Sequence, residues 1–187
     1  PVLRAHPDWF LAGTNYFNIL RPEVEAHVFE PICKAIEGFR LDCYRIDGGA
    51  SDFGDVRGPD GCRLEGLTWR YYEKLYALYE RVRRRFPNLI MENCCGGGGR
   101  CDLAMMRRFH YTQITDNWDP PCQIRILNGM TIGLAPAQCM PLVGSINMRT
   151  ADLDFVIRTG MLGHFTVSGA FPRVERINPA GMARWST

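Results

Sequence analysis

The chain reads as an α/β protein built on a parallel sheet, and three observations predict this. Apolar runs of strand length alternate with longer segments of helical period. Asp47, Glu92, Cys94 and Asp116 each stand where such an apolar run gives way to a loop. In parallel α/β folds the carboxyl ends of the strands carry the chemistry, so polar residues belong there. A doubly wound sheet and a (β/α)8 barrel both fit the alternation. A barrel takes roughly 250 residues, so a chain of 187 residues would be about its second half.

Each element has a local reason. Residues 22–38, "PEVEAHVFEPICKAIEG", read as a helix. Pro22 suits the first turn, Glu23 and Glu25 its positive end, and Gly38 the stop. Val24, Val28, Ile32 and Ile36 form one apolar face, and Pro31 inside the segment should kink it. "FRLDCYRID" then reads as a buried strand ending at Asp47, before a Gly- and Asp-rich loop to about Gly66. "TWRYYEKLYALYERVRRRF" is the next helix, with Tyr72, Leu75, Tyr79, Val82 and Phe86 at helical spacing, ended by Pro87 and Asn88. "LIMENC" is a strand, residues 101–108 a short helix, and "FHYTQITDN" a strand. "QIRILNGMTIGLA" holds a short helix and a further strand. Residues 151–163 are helical, and "HFTVSG" is a last strand candidate.

Composition narrows the function classes. Apolar content of 46% suits a globular core. The net charge of +2 is close to balance. The densest basic cluster, Arg81, Arg83, Arg84 and Arg85, falls at a helix end where cations complement the dipole. It reads as a solvated helix end rather than a nucleic-acid patch. No apolar run approaches the ~18 residues of a membrane span. The chain has eight cysteines, several inside apolar runs such as "LDCYRID" and "AQCMPLV". There a free thiol behaves as a small hydrophobe, which points to a reducing, cytoplasmic setting. The chain begins without Met and reads as a piece of a longer polypeptide.

The stretch "ENCCGGGGRCD", residues 92–102, is the most unusual. It matches neither phosphate-loop pattern, and no Lys follows. Its cysteines lack the paired spacing of a zinc site. Its glycines would let backbone N–H groups approach a ligand, and with Arg100 behind them they suit hydroxyls or an oxyanion. Taken alone, Asp47 reads first as a loop cap and Asp116 as a turn or helix cap. Taken together they are also the two carboxylates that glycoside hydrolysis requires, one as nucleophile and one as proton donor. Other two-carboxylate chemistry, Mg²⁺ binding included, uses the same residues. His110 reads as a core histidine and Met105–Met106 as core. Trp118 either stacks on a sugar face or packs.

At this point the residues resemble a known family, the α-galactosidases of glycoside hydrolase family 36, the melibiase type. "HPDWFL" and "RPEVEAHVFEPICKAI" resemble its HPDW element and its NPEV-type helix. "YRID" sits where the family has a KWD strand end. "ENCCGGGGRCD" is similar to its E-x-C-x-x-GGGR-x-D loop, and "ITDNWD" to its SDN-x-D strand end. The resemblance implies a fragment of a single (β/α)8 catalytic domain over 1–187. The family's N-terminal β-sandwich, first barrel strands and C-terminal domain would lie outside it, and the segment alone would be inactive.

The resemblance also implies roles. Asp47 matches the nucleophile and Asp116 the general acid/base. Arg45, Cys94, Gly97, Gly98, Gly99, Arg100, Asn117 and Trp118 match substrate-binding positions. No metal and no cofactor is implied. The partner implied is an α-galactoside oligosaccharide, with neither nucleic acid nor membrane, and the longer protein could pair with copies of itself. Retention sets an expected carboxyl separation of roughly 5–6 Å between Asp47 and Asp116. Arg45 stands in place of Lys, Ile46 in place of Trp, Gly49 in place of Asn and Gln113 in place of an aromatic. These departures bear on sugar specificity more than on reaction type. Three other readings stay open: a galactosyl-transferring enzyme of the same clan, a sugar-binding relative without turnover, and a metal-dependent enzyme.

Overall fold

The computed structural model of the protein describes residues 2–48, 53, 55–144 and 152–167. The elements run α1 (Val2–Ala5), a 3-10 turn at Pro7–Trp9, α2 (Pro22–Phe39), β1 (Cys43–Ile46), α3 (Leu67–Arg85) and β2 (Ile90–Asn93). They continue with a single turn, α4 (Cys95–Gly98), then α5 (Leu103–Met106), β3 (Tyr111–Gln113), α6 (Pro120–Met130), a 3-10 turn at Pro136–Gln138, β4 (Cys139–Met140) and α7 (Leu153–Met161). The four strands form one sheet in the order β1-β2-β3-β4. β2 and β3 pair in parallel with Glu92 opposite Tyr111, and β3 and β4 with Gln113 opposite Met140. Strand order equals chain order, with a helix between successive strands, which is the α/β alternation expected.

The chain divides into two compact units, Pro1–Tyr44 with Ala50–Ile90, and Arg45–Gly49 with Met91–Thr187. In the first, Leu11, Phe53, Val56 and Leu67 form a buried cluster with Leu20 and Tyr71 against it. α2 buries Val24, Phe29, Cys33 and Ile36, so the expected stripe is real but shifted toward Phe29 and Cys33. The helix runs through Pro31 as one element, although the missing N–H removes one rung of its ladder. It also continues past Gly38. The left-handed stop is Arg40, at φ 51°, and Leu41 N–H closes the turn onto the Ile36 carbonyl at 3.0 Å. The basic cluster on α3 ties the two helices together: Arg81 meets Glu25 at 2.6 Å and lies over the Phe29 ring, and Arg85 meets Glu37 at 2.8 Å.

In the second unit the core is Met91, Met105, Met106, Phe109, Ile114, Leu127, Cys139, Met140, Leu142, Val143 and Val156, all buried. The Met105–Met106 pair is thus core, as its sequence implied. α5, α6 and α7 each start on a carboxylate cap. Asp102 accepts from Met105 N–H, Asp119 from Cys122 N–H and Asp152 from Phe155 N–H. Gln123 holds the exit of β4. Its amide donates to the Leu142 carbonyl at 3.1 Å and accepts from Leu142 N–H at 2.6 Å, fully buried.

Several expectations need correction. The extra strand lies not in 123–135 but at Cys139–Met140, because Thr131–Gly133 turn the chain straight after α6. His110 is exposed rather than core. Its ring Nδ1 accepts from Met91 N–H at 2.9 Å, so it satisfies β2 backbone at the start of β3. Cys43 and Cys62 are exposed, although Cys33, Cys94, Cys95 and Cys139 are buried as expected, and none of the eight cysteines is joined in a disulfide. "HFTVSG" contributes one bridge, Val167 to Val143; Ser168 and Gly169 lie outside the described residues, as does Gly49.

Candidate active site

The carboxyl ends of β1, β2 and β3 converge on one cluster of polar side chains. Arg45, on β1, organises it. Its Nη1 donates to Glu92 at 2.5 Å. Its Nη2 faces Gln113 Oε1 at 2.7 Å, Cys94 Sγ at 3.0 Å and Asp47 Oδ2 at 3.4 Å. A guanidinium Nη carries two hydrogens, so Nη2 is oversubscribed and the long contact to Asp47 is the weak one. Arg45 therefore spends most of its donors on the protein. Glu92 is buried, and Tyr111 Oη donates to its second oxygen at 3.2 Å.

Asp47 is anchored through its other oxygen. Oδ1 accepts from Gly48 N–H at 2.7 Å and from Gly96 N–H at 3.2 Å. These two backbone donors hold its carboxyl down at about 2, with Cys94 and Arg45 adding to them and partial burial opposing. The loop-cap reading of Asp47 is thus half right, since it does bond the next residue. The second donor comes from the glycine stretch.

That stretch is a left-handed turn. Cys95, Gly96, Gly97 and Gly98 all have positive φ, at 58°, 60°, 73° and 93°. Glycine tolerates this; Cys95 carries a strain of about 1–2 kcal/mol. Gly97 and Gly98 are needed for a second reason. A Cβ on Gly97 would sit 2.6 Å from the Thr115 carbonyl carbon, and one on Gly98 2.7 Å from the Ile114 oxygen. The missing side chains let the loop lie on the backbone that carries Asp116. Asn93 ties the loop's exit to the sheet, donating to the Arg100 carbonyl at 3.0 Å and to Thr112 Oγ1 at 3.1 Å. Nε and Nη2 of Arg100 are buried with no hydrogen-bond partner among the described residues.

Asp116 is not a helix cap; Asp119 fills that role for α6. Its Oδ1 accepts from Gln113 Nε2 at 2.6 Å. Asn117 shapes the next turn, accepting from Asp119 N–H at 2.8 Å. Arg45, Glu92, Gln113, Asp116 and Trp118 line an open cavity of about 500 Å³ together with Met140, Leu142, Thr166 and Val167. Burial pushes the thiols of Cys94, Cys95 and Cys101 up. They stay protonated at neutral pH, which disfavours the thiolate that redox or metal chemistry needs.

Of the residues singled out in the sequence, Arg45, Asp47, Cys94, Asp116 and Trp118 meet in this second unit, with the Gly96–Gly98 turn beside them. Glu92 and Gln113 are the additions. Glu92 was visible as a strand-end carboxylate, but its pairing with Arg45 needs the parallel register.

The sequence profile of the melibiase family matches residues 1–171. The chain belongs to the melibiase family. Its relatives include α-galactosidase 2 of Hypocrea jecorina, 24% identical over 84% of this chain and 22% of that protein. The bifunctional α-galactosidase/sucrose kinase AgaSK of Mediterraneibacter gnavus is 30% identical over 68% of this chain and 14% of its own length. Among solved structures, α-galactosidase AgaB of Geobacillus stearothermophilus superposes with a TM-score of 0.83 at 21% identity, over 98% of this chain and 27% of that one. A variant of AgaA from the same organism, in complex with raffinose, gives 0.82 at 22% identity over the same shares. This melibiase chain therefore has the fold of part of a (β/α)8 barrel and spans about a quarter of the length of these structures. Among its described residues no helix is long and apolar enough to cross a membrane.

Proposed function

We propose that the protein carrying this chain is a retaining α-galactoside hydrolase acting on oligosaccharides. Asp47 attacks the anomeric carbon, and the bond to the leaving oxygen breaks as that oxygen takes a proton from Asp116. Water then attacks the same carbon, returns a proton to Asp116 and releases Asp47 as a carboxylate. The observation that carries this reading is the state of Asp47. Two backbone N–H groups clamp Oδ1 and keep the carboxyl ionised, while among the described residues Oδ2 faces the long Arg45 contact and the Cys94 thiol adds a bond to the carboxyl. An ionised carboxylate with one lightly held oxygen is what a nucleophile requires. The family membership and relatives named as α-galactosidases support the substrate class, as do relatives' structures in complex with raffinose and stachyose.

The test is turnover by the full-length gene product, offered aryl α-galactoside, α-glucoside and N-acetyl-α-galactosaminide, with Asp47→Asn alongside. Turnover of the galactoside, lost in the variant, is the expected result. Turnover of another sugar instead would keep the mechanism and overturn the substrate. A folded protein that turns over none of them would overturn the hydrolase reading.

A further inference from the structure

Gln113 is buried, sits at the end of β3, and bridges two charged groups of opposite sign. Its orientation is fixed by chemistry. Arg45 can only donate, so the side facing Nη2 at 2.7 Å must be the amide oxygen. The amide nitrogen then faces away, and both of its hydrogens are used. One goes to Asp116 Oδ1 at 2.6 Å, the other to the Thr115 carbonyl at 3.1 Å. Glu92 holds Arg45 from the opposite side at 2.5 Å. The result is a continuous line, Glu92–Arg45–Gln113–Asp116, in which every donor and acceptor has one possible sense.

We propose that Gln113 is a positioning residue for the acid/base carboxyl: held by Arg45, its amide occupies Oδ1 of Asp116 and leaves Oδ2 as the oxygen that carries the proton. The amide hydrogen takes one of the two lone-pair sites on Oδ1 and stabilises negative charge there, which directs the proton to Oδ2. In the first step the O–H bond on Oδ2 breaks and its proton moves to the leaving oxygen, which takes the electron pair of the broken glycosidic bond. In the second step Oδ2 receives a proton from the attacking water. The two catalytic carboxylates are then arranged alike, each anchored through Oδ1 and each working through Oδ2. This inference rests on the hydrolase reading.

The experiment compares kcat/KM, which reports the first step, for two α-galactosides in the full-length protein. One is 2,4-dinitrophenyl α-galactoside, whose leaving group departs without a proton. The other is melibiose, whose leaving sugar needs one. Gln113→Met removes the amide. Gln113→Glu keeps an acceptor for Arg45 and removes the amide donors to Asp116 and to the Thr115 carbonyl, and thermal melting checks that each variant is folded. For both variants the loss on melibiose should exceed the loss on the dinitrophenyl substrate by roughly 10–100-fold. Equal losses on the two substrates, or no loss on either, would overturn the role of Gln113. Failure of the wild-type protein to turn over either galactoside would instead strike the hydrolase reading, so the two failures are told apart.

Discussion

At the scale of single residues, the site turns on which oxygen of each carboxylate is taken. Asp47→Asn should lower turnover by at least about 10³-fold, since an amide neither attacks nor leaves as a carboxylate; initial rates on an aryl α-galactoside check this. The charge on Asp47 has its own pH signature. Its folded value is about 2, below the ordinary carboxylate value of about 3.9. The charge-linked contribution to stability is therefore full above the unfolded value and is lost as pH falls through about 2. A fluorosugar inactivator whose fluoride leaves without protonation should trap Asp47 at a rate unchanged from neutral pH down to roughly pH 4. A fall in that rate already at pH 5–6 would contradict the two-donor clamp.

Elements decide how the residues are held, and glycine positions separate two costs. Gly96→Ala meets no neighbour within 4 Å among the described residues and bears the penalty of its φ of 60°, about 1 kcal/mol. Gly97→Ala adds a collision with the backbone of Thr115 and should cost ~2–4 kcal/mol, with a further loss of activity as Asp116 is displaced. Chemical denaturation of the two variants should show that order. Gln123→Leu strands both backbone groups of Leu142 in the core and should cost ~2–4 kcal/mol by the same measurement. The sequence made much of this level legible. Both long helices, the β1–β3 strands and the strand-end acids follow from period and from where apolar runs stop. What it hid has physical causes. Arg40 supplies the left-handed stop that Gly38 suggested, because the chain continues helical until the Leu41 N–H can close the turn. β4 spans two residues, too few for any alternation to register. The Gly97 contact and the Arg45–Gln113 bridge depend on strand register, which no single segment encodes.

For the molecule as a whole, the sheet presents Asp47 after β1 and Asp116 after β3, with β2 between them. A crystal structure of the full-length protein with a sugar-shaped inhibitor should put the Asp47 and Asp116 carboxyl groups roughly 5–5.5 Å apart, and NMR of the first-formed product should show the retained α-anomer. A gap beyond about 6.5 Å with the β-anomer would mean inversion. The Arg85–Glu37 pair between α2 and α3 is half-exposed and should matter little: Arg85→Ala is expected to shift stability by under about 1 kcal/mol in the same denaturation assay.

The left-handed turn has a consequence for how such a site can change over time. One loop gives an N–H to Asp47 through Gly96 and lies against the backbone before Asp116 through Gly97 and Gly98. Both acids thus take their position from a common ruler. Trp118, Met140, Leu142, Thr166 and Val167, which line the cavity, are not part of that ruler. On the proposed hydrolase reading, they can be exchanged to admit a different sugar while the spacing of the two acids stays as it was. Reaction type and substrate choice are free to evolve on separate schedules.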